Sequence, residues 1–301
     1  MADLKRVKDI GEFGLIKVIS EKIKLSNRIK LGIGDDCAVL PYNRTHYQLL
    51  SCDMIVEGVD FTSNCDPRLI GRKALAVCIS DIASCGGLPK ACLVSLALPE
   101  HTPIKTIDRL YDGMLEIAQQ YNVEIVGGDI SKLDRLAISV SISGLVRRRH
   151  LALRSMAKPG DILFSSGPFG GSIKGKHLSF TPRLQEAQYL VRNYQVHAMI
   201  DVSDGLLQDL NHILEASKVG VFLYEELIPW STQCENLWDA LTSGEDFELL
   251  FTLPLREARR LRKTKKNFFV LGQIMPASFG MIMIDRFGRK IRLKPQGFSH
   301  F

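Results

Sequence analysis

Six short segments of this 301-residue chain set acidic side chains against glycine or inside apolar sequence, where an ionised carboxylate is costly. They are GIGDDCAVL (Asp35, Asp36), LLSCDMIVEG (Asp53), ALAVCISDIASCGG (Asp81), IVGGDISK (Asp129), AMIDVSDGLL (Asp201, Asp204) and SGEDFELLF (Glu245, Asp246). A carboxylate in such surroundings needs a cation or a hydrogen-bond donor to compensate it. The chain carries a formal net charge of +6, so these acids are not part of a generally acidic surface. A fold that gathers them must hold them together with divalent cations. Oxygen-only ligand sets suit Mg²⁺, whose usual working partner is a substrate phosphate. The pattern therefore points to chemistry on phosphates.

The length allows two domains, each with its own core. No apolar run approaches the roughly 18 residues of a membrane span, and the N-terminal sequence lacks a signal-peptide hydrophobic stretch. The expectation is a cytoplasmic enzyme with no membrane partner. Much of the basic excess falls late, in residues 256–267 and 285–294. These read as a solvated helix face and an edge hairpin. With no zinc-finger spacing or RNA-binding aromatic signature beside them, no nucleic-acid partner is expected. The seven cysteines include no C-x-x-C pair. Cys37, Cys78, Cys85 and Cys92 lie among apolar neighbours and read as small buried hydrophobes in a reducing compartment.

The first half alternates strand-like and helix-like segments. Residues 11–25 read as a helix with Phe13, Ile16, Val18 and Ile19 on its apolar face, followed by strands at 36–40 and 47–56. The stretch from Asp66-Pro67 through Cys85 reads as a helix: Pro67 suits the first turn and Gly86-Gly87 stops it. A buried strand at 91–98 and an amphipathic helix at 104–121 come next. VEIVGGD then reads as a strand ending in a glycine turn, and LAISVSISGLV as a further strand. This β-β-α-β-α-β-β order predicts a mixed α/β (α+β) fold rather than a doubly wound sheet. Near residues 147–160 the sequence turns basic and reaches a Pro-Gly turn, which predicts domains at 1–147 and 148–301. In the second, DILFSSG opens the unit, 167–183 is loop-rich and helices are expected at 184–194 and 235–242. AMIDV, 219–224 and FELLFTL read as strands, with Ser203 capping a helix begun by Asp204. A basic helix and a final hairpin close the chain.

Asp81 stands out because its helix is apolar nearly all round, as buried helices are. It is either a metal ligand projecting from that helix or a helix-edge acid facing water. Asp35 and Asp36 follow two glycines, where an Asx turn is the alternative. Adjacent strand residues face opposite ways, so only one of them should meet a given metal. Asp53 ends LLSCD, where Ser51 and Cys52 could complete a coordination shell through hydroxyl or carbonyl oxygens. Asp129 follows Gly127-Gly128, compatible with an anion-binding turn or an ordinary one. Asp201 and Asp204 flank a strand-to-helix junction, where simple N-capping is the alternative. Residues 170–177, GGSIKGKH, nearly match a Walker phosphate loop. However, His177 occupies the hydroxyl position and Pro182 leaves no room for the required helix. This reads instead as a glycine loop over the site, so ATP, if used, is bound without a P-loop.

Taken in order, GIGDDCAVL, DMIVEG, KALAVCISDIASCGG, VGGD, RSMAKPGD, IDVSDGL and GEDFELLF resemble the thiamine-monophosphate kinase family, and so does the terminal GFSHF. The resemblance runs from about Gly11 to Phe301. Related families are aminoimidazole ribonucleotide synthetase, formylglycinamidine synthetase, selenophosphate synthetase and a hydrogenase-maturation protein.

The resemblance implies an aminoimidazole ribonucleotide synthetase-like two-domain fold and a homodimer joined through its N-terminal sheets. ATP would lie between the domains, several Mg²⁺ ions would clamp it, and its phosphoryl group would pass directly in line to thiamine phosphate. Carried onto this chain, the metal ligands are Asp36, Ser51, Cys52 (through its carbonyl), Asp53, Asp81, Asp129, Asp201 and Asp204. The ATP contacts are Tyr111, Gly128, Asp129, Arg154 and Ser203. The substrate contacts are Asp60, Glu245 and Phe298. No protein nucleophile is implied, because phosphoryl transfer needs positioning and charge neutralisation. Three departures stand out: Asp60 replaces a histidine, Cys52 replaces a threonine, and the loop after Gly171 is shorter. The absence of an N-terminal catalytic cysteine and of a terminal cysteine argues against the selenium and hydrogenase relatives. Activation of another small substrate, or nucleotide binding without turnover, remain the alternatives.

Overall fold

The computed structural model describes residues 6–301. Helix α1 (Val7–Lys22) leads into β1 (Ala38–Pro41), β2 (His46–Val56), α2 (Pro67–Ser84), β3 (Leu88–Leu98), α3 (Ile104–Tyr121), β4 (Glu124–Lys132) and β5 (Ala137–Arg147). The second half runs β6 (Ile162–Ser165), α4 (Lys176–Ser179), α5 (Leu184–Asn193), β7 (Ala198–Asp201), α6 (Leu206–Ser217) and β8 (Val219–Tyr224). It continues with α7 (Leu237–Thr242), β9 (Leu249–Leu253), α8 (Leu255–Leu261), β10 (Phe269–Pro276), β11 (Met281–Ile284) and β12 (Lys290–Arg292). One sheet has the order β1-β2-β5-β3-β4 and the other β12-β11-β8-β10-β6-β9-β7. Both mix parallel and antiparallel pairs, as the expected α/β class requires. No helix among the described residues is long and apolar enough to cross a membrane.

α2 is the central element. Asp66 caps it by accepting from the Arg68 N–H at 3.0 Å, and Pro67 fills the first turn. It packs on β2, β3 and β5 on one side, against α3 on another, and against α4, α5 and β7 of the second half. The contact with α3 is backbone-close: a Cβ on Gly71 would fall 1.9 Å from the Leu110 carbonyl oxygen, and one on Gly113 1.8 Å from that of Arg68. Each helix thus provides the glycine that the other helix's carbonyl requires.

Strand alternation sorts residues between two cores. In the seven-stranded sheet, Phe164, Met199, Leu249 and Phe251 join the core built around α2. Their neighbours Leu163, Ala198, Ile200 and Leu250 join a second core with α6. In β2, Leu49 and Ile55 are buried on the helix side, while Leu50 and Met54 lie 39% and 60% exposed on the other.

Several expectations need correction. α1 begins at Val7, and its apolar residues are not core: Phe13, Ile16, Val18 and Ile19 are all exposed. The Gly127-Gly128 pair is no turn, because β4 runs straight through it, with a bulge opposite Cys92 and Leu93. Gly128 is required there: a Cβ would sit 1.8 Å from the Val94 carbonyl oxygen. Ser203 caps no helix, since α6 starts at Leu206 after Gly205 (φ 122°). The Asp209 carboxylate accepts from the N–H groups of Asp204 and Gly205, each at 3.0 Å, and takes that role. The four cysteines expected in the interior are buried, and all seven are free.

Candidate active site

β2 sends Ser51 and Asp53 towards α2, and the last turns of α2 present Ser80, Asp81 and Ser84. The Ser51 hydroxyl donates to the Asp81 carboxylate and the Ser84 hydroxyl to that of Asp36. Asp201, on the α2 side of β7, accepts from the Ser80 hydroxyl at 2.5 Å. Asp36, Asp53, Asp81 and Asp201 therefore converge, though far apart in the chain. Arg154, in the connection after β5, donates to Asp36 through Nε at 3.1 Å and through a terminal nitrogen. Its backbone N–H donates to Asp35 at 3.0 Å.

The cost of this gathering shows in the titration of the acids. Burial, then Asp53, Asp201 and Asp36, hold Asp81 well above the usual carboxylate range. Asp201 is pushed up to about 8 by burial and Asp36, and Asp35 to about 7 by burial and Asp36. Burial raises Asp53 as well. Asp81 also lies in the last turn of its helix, where the dipole disfavours negative charge and favours a cation. The donor set is all oxygen, and Asp53 Oδ2 is buried with no hydrogen-bond partner among the described residues. An acceptor-only set with an unanswered oxygen fits a hard divalent cation.

Beside the acids opens a cavity of about 510 Å³, bordered by Asp53, Asp60, Ser203, Asp204, Glu245 and Phe298. Its floor contains Lys73 of α2, which is 0% exposed. The Lys73 ammonium pairs with the Glu245 carboxylate and donates to the Asp60 carbonyl at 2.9 Å. Glu245 has a left-handed backbone (φ 65°), held by its N–H to the Ser203 carbonyl at 2.6 Å. Ser203 thus borders the cavity and shapes it through its carbonyl. The Asp60 carboxylate turns back to accept from the Val56 N–H at 2.7 Å, so it closes its own turn. The tail crosses this region: the Phe298 N–H donates to the Asp204 carbonyl at 2.9 Å, and the His300 N–H to Glu12 at 3.2 Å. Burial and the nearby Glu12 push Asp204 up to about 6. The residues 170–175 bring Ile173 to the rim, with the Ser172 hydroxyl donating to the Glu245 carbonyl at 2.6 Å. Helix α4 after this loop has four residues, too short for a Walker arrangement.

Not every expected ligand joins the cluster. The Cys52 thiol is exposed on the opposite face of β2, where the Ser141 hydroxyl donates to it at 3.3 Å. Asp129 shares a row across the sheet with Met54, Ser139 and Ser95, on that same open face. It stands three strands from β2, about 14 Å away. Gly128 is on the same edge strand, and Tyr111 is half-buried on α3. Lys73, Ser80, Ser84 and Asp209 escaped the sequence reading. Lys73 and Ser80 carried the signal that marked Asp81, a polar residue in an apolar helix.

Family models place this chain in a class: the AIR synthase related protein N-terminal domain matches residues 34–146, and the corresponding C-terminal domain residues 145–280. Full-length comparison narrows it. The thiamine-monophosphate kinase of Rhodopirellula baltica is 37% identical, covering 91% of this chain and 92% of that one. The Bacillus subtilis thiamine-monophosphate kinase is 32% identical, covering 97% and 100%. The solved structure of AaThiL complexed with AMPPCP and TMP superposes with a TM-score of 0.88 at 31% identity, covering 100% of both chains. The chain belongs to the thiamine-monophosphate kinase family.

Proposed function

We propose that this chain transfers the terminal phosphoryl group of ATP directly, in line, to thiamine phosphate, giving thiamine diphosphate. The observation that carries the reading is the convergence of Asp36, Asp53, Asp81 and Asp201, with an unanswered Asp53 oxygen, beside the cavity bordered by Glu245 and Phe298. The relatives bearing the kinase name and the related structure complexed with AMPPCP and TMP support the same substrates. Mg²⁺ would be held by Asp36, Ser51, Asp53, Asp81, Asp201 and Asp204, and when bound would neutralise the phosphate oxygens. The chain's own part is positioning. Ser51, Ser80 and Ser84 fix the rotamers of three carboxylates, and Arg154 orients Asp36 while offering a forked donor to phosphate. Glu245, aimed by Lys73, would face the cationic part of thiamine, and Phe298 would stack on a ring. The acceptor is already an anionic phosphate, so no strong general base is needed.

We further propose that the chain divides at residues 147 and 148 and works as a cytoplasmic homodimer. The open face of the first sheet carries Met54, Leu93 and Val126, exposed by 48–61%. Such an apolar face is suited to covering by a second copy. Tyr111, Gly128 and Asp129, remote from the acid cluster of their own chain, would then serve the nucleotide held by the neighbouring copy, with the Cys52 carbonyl available on β2.

The test is an end-point assay. Purified protein with Mg-ATP should convert thiamine phosphate to the diphosphate with one ADP released per turnover. ADP release without thiamine diphosphate refutes the assignment.

A further inference from the structure

A second concave site has the opposite charge. It lies where β3 begins and β5 ends, against α5, as a cavity of about 530 Å³ lined by Lys90, Arg147, Arg149, His150 and Arg192. Among the described residues, no carboxylate lines it. Several arginines elsewhere do pair with acids: Arg68 with Glu116, Arg109 with Asp66, Arg183 with Glu248 and Arg289 with Asp285. Among the described residues, none of the four cations of this cavity has an acidic partner. The guanidinium of Arg192 is steadied by Gln188 Oε1 at 3.0 Å, and the Gln188 amide is anchored on the carbonyls of Gly86 and Gly87 at 2.9 and 2.8 Å. Arg149 Nε donates to His150 at 3.3 Å, so the basic groups are also held by one another. Burial and then Arg149, Arg147 and Arg192 depress His150, keeping it a neutral hydrogen-bonding group.

We propose that this cavity is a metal-independent binding site for a small oligophosphate, spanning the sheet end and α5. Three guanidiniums suit it because their planar forks match phosphate oxygens, and their mutual repulsion is relieved only when an anion arrives. The volume admits a nucleoside diphosphate, thiamine diphosphate or pyrophosphate and excludes a folded macromolecule. Its charge logic also separates it from the acid-lined site, which repels phosphate until cations are present.

The experiment is calorimetric titration of the full-length protein with inorganic pyrophosphate in EDTA at low salt. The expected result is saturable binding of one pyrophosphate per chain, weakening as salt rises. Arg147→Gln with Arg192→Gln should weaken it by about tenfold or more per guanidinium lost, while Asp81→Asn leaves it unchanged. Lys90→Gln with Arg149→Gln gives an independent variant should the first pair fail to fold. Displacement of pyrophosphate by ADP or by thiamine diphosphate identifies which phosphate ester the cavity prefers. No saturable binding in EDTA, unchanged binding in both Gln pairs, or loss in Asp81→Asn overturns the proposal. So does tighter binding of a single-stranded oligonucleotide than of any small oligophosphate, or dissociation of a dimer by the Gln pairs.

Discussion

Lys73→Met tests whether the buried ammonium holds the substrate pocket together. Methionine keeps most of the stem volume, so the packing loss is small and the charge is the main thing removed. Two interactions go: the ion pair with Glu245 and the 2.9 Å bond to the Asp60 carbonyl. Stripping one partner from a fully buried ion pair costs about 3–5 kcal/mol. Here the lysine side chain is 1% exposed but that of Glu245 is 27%, so water recovers part of the glutamate's loss. The abandoned carbonyl adds its own desolvation cost, and a net loss of about 2–4 kcal/mol follows. In urea, with a slope of about 3 kcal/mol per molar, the unfolding midpoint should fall by roughly 1 M at unchanged slope. Glu245→Gln on the Lys73→Met background should cost less than the sum of the single changes, because the glutamate has already lost its cation. A midpoint within about 0.2 M of the parent, or strict additivity in the cycle, refutes the reasoning.

Asp81→Asn should abolish turnover yet raise the melting temperature of the metal-free protein, since it removes one of the mutually repelling acids; thermal melts with and without Mg²⁺ check both, and a parent-like Mg²⁺ shift would contradict it. Asp246, whose Oδ1 is buried and unpartnered, is pushed up to about 7 chiefly by burial. The folded state therefore keeps a proton that the unfolded chain releases near pH 4, so this group's contribution falls as pH rises from about 4 to about 7 and is flat above. Asp246→Asn should gain on the parent by roughly 1–3 kcal/mol between pH 5 and pH 7.5, measured by urea unfolding at both, and an advantage that does not grow with pH would be wrong in sign. Met54→Asp places a charge on the open sheet face, and sedimentation should then report monomers with turnover lost; a stable, active dimer would exclude that face as the subunit contact.

The sequence was most legible where structure is local. The expected helix at 104–121 matches α3, and the expected end of α2 lies within a residue of the observed one because Pro67 and Gly86-Gly87 mark its limits. Asp81 was legible because a lone acid in an apolar helix has few places to go, and Asp36, Asp53 and Asp201 do join it. Lys73 sits two turns earlier in the same helix with the same signal. Its role is hidden in the sequence because Glu245, the acid it pairs with, lies 172 residues further along the chain.

What stayed illegible was cross-strand. Read along the chain, Ser51, Cys52 and Asp53 look like one ligand set, but period two sends the middle residue to the other face. Gly127-Gly128 looks like a turn until β3 is laid beside it and the Val94 carbonyl demands a residue without Cβ. Once β4 is a continuous edge strand, register puts Asp129 in the row of Met54 rather than that of Asp53. One subunit then cannot bring Asp129 and Asp53 to the same phosphate through this sheet. If both acids act on one nucleotide, the open apolar face has to be where a second copy docks. Under the proposed function, the strand register thus calls for a dimer, independently of the exposed side chains that make docking favourable.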